Sequence, residues 1–287
     1  MIESSECIGS VLGLGMISSA DETMMSTILQ HFVTLIHSKC RLEVKQAILR
    51  SFEFFSIRNS SVAQSHINKV FNCVSNCLDN YTVDFRGDVG SWIRLAAISC
   101  SQILLRDFSQ LIESEKIRSW LLKMVRIGAE PLDKTRKESA ECLKNVCLLI
   151  ESLLSRSSSK VLLRGDEIWL ETKTGFRHWV KLLEDFDLSQ AVLQGFVMSI
   201  GGVSDSISEQ ASDALTQFCQ ETRFMPIPTL LKCLFSDEKR FRVPTLVTCY
   251  VCLCAKLCTP ADVEVLFRKM ECLTSSQFHV QKTLIKM

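Results

Sequence analysis

Nearly every segment of this chain repeats its apolar residues at a helical period, and that regularity leaves few folds open. In RLEVKQAILRSFEFF, Val44, Ala47, Ile48, Ser51, Phe52 and Phe55 recur at three- and four-residue steps, forming one stripe of a helix. In DVGSWIRLAAISCSQIL the same mask catches Val89, Trp92, Ile93, Ala96, Ala97 and Cys100, then Ile103 and Leu104. Punctuation agrees with this reading. Ser206 and Glu209 in SISE have the spacing of a capping box, and Gly201–Gly202 after QAVLQGFVMSI predicts a left-handed helix stop. Pro131, Pro226, Pro228 and Pro260 fall at helix starts or connections, and Pro244 in the first turn of a helix. Strand evidence is weak throughout, and only VLLRGDEIWLETKTG, Val161 to Gly175, reads as irregular.

The helices also echo one another. Val44-Lys45-Gln46-Ala47-Ile48 and Ile93-Arg94-Leu95-Ala96-Ala97 share a frame of apolar, basic, any residue, alanine, apolar. Looser echoes near Arg136, Glu209, Arg242 and Gln281 extend it at spacings of about 40 residues, or twice that. A helix pair at that period predicts an all-α fold, a HEAT/armadillo-like α-α superhelix, or solenoid, of about five to six repeats. The alternative is a bundle of helices that happen to be similar in length. The chain opens on a run containing IGSVLGLGMI and stops at TLIKM inside a helix, so a fragment of a longer array, or a short isoform, is expected.

Composition narrows the function. Lys plus Arg number 33 and Asp plus Glu 32, a formal net charge of +1 that argues against a broad nucleic-acid or anionic-membrane footprint. No apolar run approaches the roughly 18 residues of a membrane-spanning helix. The 14 cysteines sit mostly in apolar helical runs, as Cys100, Cys142, Cys147, Cys219 and Cys233 do, where thiols behave as small buried hydrophobes. With no leader at the start, the expectation is a reducing, cytoplasmic compartment.

Catalytic patterns are missing: no GxxxxGK[ST], HExxH or GxSxG occurs, and Gly9, Gly13 and Gly15 are wrongly spaced for GxGxxG. In CYVCLCAKLC, Cys249, Cys252, Cys254 and Cys258 share one apolar helix and cannot all face one metal, and Cys73 with Cys77 receives the same reading. His31, His37, His66, His178 and His279 have no partner at telling spacing. No catalytic residue, cofactor site or metal site is nominated. A thiol- or metal-dependent enzyme built on the cysteines stays open as a different class.

Polar chemistry concentrates in DNYTVDFRGDVGSWIRLAAISC, Asp79 to Cys100. Gly87 can make a sharp turn, Asp88 can cap the next helix, and Trp92 and Ile93 are expected to bury, leaving Arg94 near the polar edge. Asp84, Arg86, Asp88, Trp92 and Arg94 are therefore candidate residues with two readings. The charges bridge adjacent repeats, or Asp84, Arg86 and Asp88 protrude and touch a partner. An arginine finger at Arg86 or Arg94 is a further option.

The segment DNYTVDFRGDVGSWIRLAA, residues 79–97, closely resembles a string of the tubulin-specific chaperone D (tubulin-folding cofactor D) family, D-Y-T-x-D-x-R-G-D-V-G-x-W-V-R-x-A-A. VLQGFVMSIGGVSDSISEQASDAL, residues 192–215, resembles a later G-x-V-x-S-x-G-G-x-x-x-S block of that family, in the same order. The resemblance implies the C-terminal region of a HEAT-repeat protein, with HEAT-like helices over 1–60, the family's C-terminal helical domain over 61–225 and further helices over 226–287. It implies a non-catalytic cytoplasmic chaperone that captures β-tubulin. With other tubulin-folding cofactors, such a chaperone joins β- to α-tubulin and promotes GTP hydrolysis by tubulin. A small Arf-like GTPase is a further implied partner. A HEAT scaffold of another assembly would share the periodicity without DFRGDVGSW.

Overall fold

The computed structural model describes residues 4–16, 22–38, 40–58, 60–163, 172–202, 204–222 and 249. The helices are α1 (Ser4–Met16), α2 (Glu22–His37), α3 (Leu42–Arg58), α4 (Ser60–Cys77), α5 (Gly90–Phe108), α6 (Ser114–Ile127), α7 (Asp133–Val146), α8 (Arg156–Leu163), α9 (Thr172–Trp179), α10 (Phe186–Ile200) and α11 (Asp205–Thr222). Two 3₁₀ segments, Cys147–Leu153 and Val180–Glu184, follow α7 and α9. The chain forms two units, one of Met1–Met124 with Glu138–Leu163, the other of Val125–Lys137 with Arg164–Met287.

Within the first unit the packing partners skip one helix. Helix α3 packs on α1 and on α5, while α2 packs on α4. The series continues through side chains. Cys142 Sγ of α7 lies 3.9 Å from the Ile98 carbonyl of α5, and Phe71 of α4 meets Trp120 of α6 at 6.3 Å between ring centroids. Within this unit α1, α3 and α5 thus form one layer and α2 and α4 the other, each pair covering the apolar stripe of the next. This is the expected all-α, HEAT/armadillo-like arrangement. The stripes do the holding: Val44, Ala47, Ile48, Leu49 and Phe52 of α3 are all buried, each large one contributing about 1.5–3 kcal/mol. Polar ties fix the register. Asn68 of α4 accepts from the Glu113 amide at 2.9 Å and donates to the Leu111 carbonyl at 3.1 Å, and Lys123 of α6 reaches Asp79 at 3.2 Å.

In the second unit a buried turn, residues 126–130, lies on α9 and α10. The Trp179 indole donates to the Val125 carbonyl at 2.7 Å, and the Ser199 hydroxyl to the Ala129 carbonyl at 2.7 Å. Phe176 and Phe196 meet at 5.5 Å behind them.

Several sequence expectations need correction. Ser206 lies inside α11, which starts at Asp205, and its hydroxyl accepts from Gln210 at 3.1 Å, so it is no N-cap. Gly201 ends α10 with a φ of −85°, not a left-handed one: its N–H still makes the α-type bond to Val197 O, and the last turn tightens only at Gly202 N–H to Ser199 O. Helix α8 and helix α9 occupy both described ends of the 161–175 segment. Ser155 caps α8 through the Ser158 amide at 3.2 Å, and Phe176 and Trp179 of α9 bury three residues apart. Residues 83–88 pair as two-residue strands. Apart from Cys249, the cysteine cluster and the rest of the 226–287 segment, with the echoes at Arg242 and Gln281, His279, Pro226, Pro228, Pro244 and Pro260, lie outside the described residues.

Candidate functional site

The site is built on a hairpin that precedes α5. β1 (Val83–Asp84) and β2 (Gly87–Asp88) pair antiparallel, Val83 opposite Asp88 and Asp84 opposite Gly87, leaving Phe85 and Arg86 at the tip. Aspartate opening the turn and glycine closing it are what a type I turn followed by a left-handed residue requires, and Gly87 has φ 99°. Asp84 Oδ1 accepts the Arg86 amide at 2.7 Å, closing the turn from inside. On the other side, Asp88 Oδ1 accepts the Ser91 amide at 3.1 Å and Ser91 Oγ donates back to the Asp88 carbonyl at 2.6 Å. Asp88 therefore caps the first turn of α5, though Val89 precedes the helix directly.

Gly90 explains the rest of the GDVGSW string. Its amide donates to the Thr82 carbonyl at 2.9 Å, and a Cβ there would lie 2.4 Å from the Asn80 carbonyl oxygen. Only glycine lets residues 80–82 cross the helix start so closely. Asn80 is itself locked, its Oδ1 accepting from the Thr82 amide at 3.1 Å and the Thr82 hydroxyl at 2.8 Å.

The crossing chain covers Arg94, reversing the sequence expectation for two residues. Arg94 is 1% exposed and Trp92 39%. The buried stripe of α5 runs through Ile93, Arg94, Ala97, Ile98, Cys100 and Ser101, rotated from the predicted mask because the hairpin adds a wall that periodicity alone cannot reveal. A buried guanidinium needs partners. Arg94 Nη2 pairs with Asp88 Oδ2 at 2.7 Å, Nη1 donates to the Asn80 carbonyl at 2.6 Å, and the cation sits 4.3 Å from the Tyr81 ring centre. Removing the carboxylate from so buried a guanidinium costs about 3–5 kcal/mol.

Arg86 has the opposite setting. Its Nε and Nη2 bind Asp84 Oδ2 at 3.0 and 2.7 Å on the exposed side of the hairpin, and its guanidinium lies over Trp92 at 4.8 Å and Phe85 at 5.5 Å. The hydrogen bond from Arg86 holds the Asp84 carboxyl below its usual value and raises the guanidinium in return. Phe85 is 96% exposed. So the five candidate residues divide: Asp88 and Arg94 face inward as one pair, whereas Asp84, Arg86 and Trp92 share the outward face. Phe85 escaped notice in the sequence. The signal was available, since Asp-x-x-Gly puts the two middle residues at the turn tip.

The second unit repeats the inward device. Arg136 is buried, pairs with Asp133, donates Nη1 to the Glu130 carbonyl at 2.6 Å and stacks 4.7 Å from the Phe176 ring centre. Burial pushes its guanidinium below the ordinary arginine value, with Asp133 opposing. The basic residue of the sequence frame is thus a buried link at Arg94 and Arg136, whereas Lys45 is half-buried.

Thiol chemistry is suppressed at several helix positions. Burial pushes the Cys77 and Cys219 thiols up to about 11, and those of Cys73, Cys100 and Cys142 upward as well. Among the described residues no three His, Cys, Asp or Glu gather as a metal site, and no helix is long and apolar enough to cross a membrane. The Ser26 hydroxyl lies 2.8 Å from His66 Nε2, a link between α2 and α4.

Residues 118–255 match a protein family described as Tubulin folding cofactor D C terminal. Tubulin-specific chaperone D of Dictyostelium discoideum is 23% identical over 184 residues, 52% of this chain and 12% of that relative. Among solved structures, an engineered protein aligns at TM-score 0.40 and 15% identity, covering 89% of this chain and 95% of its own. A designed armadillo repeat protein, YIII(Dq)4CqI, aligns at TM-score 0.36 and 13% identity, covering 88% and 95%. The hairpin lies ahead of the family-matched segment.

Proposed function

We propose that this chain belongs with the tubulin folding cofactor D family that its residues 118–255 match, and that it is a non-catalytic holder of tubulin. The family match over residues 118–255 carries the reading. The client is β-tubulin. Together with the other tubulin-folding cofactors the chain takes part in joining β- to α-tubulin, in the cytoplasm. Any stimulation of GTP hydrolysis acts on the nucleotide held by tubulin, and a small Arf-like GTPase is a further partner.

The physical chemistry favours holding over catalysis. Stacked helices offer a long surface that grips a large protein by many shallow contacts. Arg94 is no arginine finger, because its guanidinium is buried and committed to Asp88 and Asn80. Asp84 and Arg86 of the hairpin, with Trp92 of α5, form the partner-facing surface, and Asp88 with Arg94 its anchor. The test is sedimentation of the chain with purified αβ-tubulin. A saturable complex is expected, and free sedimentation of both at micromolar concentration would refute the reading.

A further inference from the structure

We infer that the hairpin engages its partner by inserting the Phe85 ring into an apolar pocket whose rim carries a carboxylate for Arg86. The occupant is the tubulin client, and to that extent the inference rests on the reading above.

Three observations carry it. The first is the cost of the ring's position: a type I turn accepts almost any residue at its middle positions, yet a phenyl group stands there 96% exposed. Val83, at 53%, and Trp92, at 39%, are exposed within the same ten residues, and the Arg86 guanidinium touches both rings, joining them into one surface. Isolated exposed apolar residues are ordinary, whereas an aromatic pair around an arginine has the composition of a binding hot spot.

The second is preorganisation. Asp84 holds Arg86 through Nε, Nη2 and the backbone amide. Gly87 fixes the turn, and the bond from the buried Arg94 to Asp88 fastens the hairpin to α5. A side chain already immobilised loses little entropy on docking.

The third is charge. With Nε and Nη2 occupied by Asp84, Nη1 remains as a charge-assisted donor beside the exposed ring. The group that best complements it is a carboxylate at the edge of the pocket that takes Phe85. Asp84 is then a positioning residue that aims the guanidinium.

The experiment measures affinity of the chain for purified αβ-tubulin, at two salt concentrations, for wild type, Phe85→Ala, Phe85→Trp, Arg86→Ala and Asp84→Ala. Phe85→Ala should weaken binding by about tenfold or more, as hot-spot truncations do, and Phe85→Trp should retain most of it. Arg86→Ala should weaken binding and flatten its salt dependence, with Asp84→Ala giving a smaller loss in the same direction. Phe85 and Arg86 are exposed, so their variants should melt with the wild type, whereas Asp84→Ala also loses the acceptor of the Arg86 amide and should melt lower. Unchanged affinity of Phe85→Ala overturns the inference and leaves tubulin holding intact. Failure of the wild type to bind tubulin overturns both. A wild-type dimer that Phe85→Ala dissociates, with tubulin affinity unchanged, makes the hairpin a self-contact and also overturns it.

Discussion

Asp88 and Arg94 form a single ion pair, 2.7 Å between Oδ2 and Nη2, with the arginine side chain 1% exposed and the aspartate side chain 27%. The pair joins the end of the hairpin to the first turns of α5 while Asp88 also caps that helix. Asp88→Ala should therefore lower the unfolding free energy by about 3–5 kcal/mol, because it strands the buried Arg94 guanidinium and removes the acceptor for the Ser91 amide. Urea denaturation checks it. A loss within 1 kcal/mol would mean that the pair is dispensable.

The two hairpin glycines should fail differently on substitution. Gly87→Ala is strained only by its φ of 99° and has open space around it, so a loss of roughly 1–2 kcal/mol is expected. Gly90→Ala would drive a methyl group against the Asn80 carbonyl, for a larger loss of roughly 2–3 kcal/mol. Thermal melts of the two variants in one buffer give the order.

Ser199→Ala should cost about 1–3 kcal/mol, because it strands the Ala129 carbonyl beneath α10 without its 2.7 Å donor. Chemical denaturation measures the loss, and Ser199→Thr should recover part of it if the added methyl group fits.

The Asp84 carboxyl, lowered by its hydrogen bond from Arg86, gives the clamp a defined pH response. A depressed folded-state value means that the contribution is present above the ordinary carboxylate value and lost as pH falls through the folded one. An NMR titration should place Asp84 below other exposed aspartates, and Arg86→Ala should return it toward them.

Much of the fold could be read from the chain because a helix stripe is a local property. The spacing of Val44, Ala47, Ile48 and Phe52 names the buried face of α3 without any neighbour in view. The phase of α5 could not be obtained that way. Its burial is set by residues 79–90 folding back across the helix start, so Arg94 is enclosed and Trp92 left outside. Helix ends were also hard to place. Ser206 has the residue type of a cap but lies inside α11, and Gly201 does end α10 through its own N–H but without the left-handed φ that glycine suggests. Within the site, Asp84, Arg86 and Asp88 stood out as charges, whereas Phe85 becomes conspicuous only when the turn type is taken literally.

The central claim, that the outward face of this hairpin meets tubulin while its inward pair holds it in place, is tested most directly by hydrogen–deuterium exchange of the chain with and without saturating αβ-tubulin. The account predicts that amides of residues 83–88 slow on binding and that α5, already closed over Arg94, changes little. A tubulin-bound chain whose hairpin amides exchange as fast as in the free chain would contradict it.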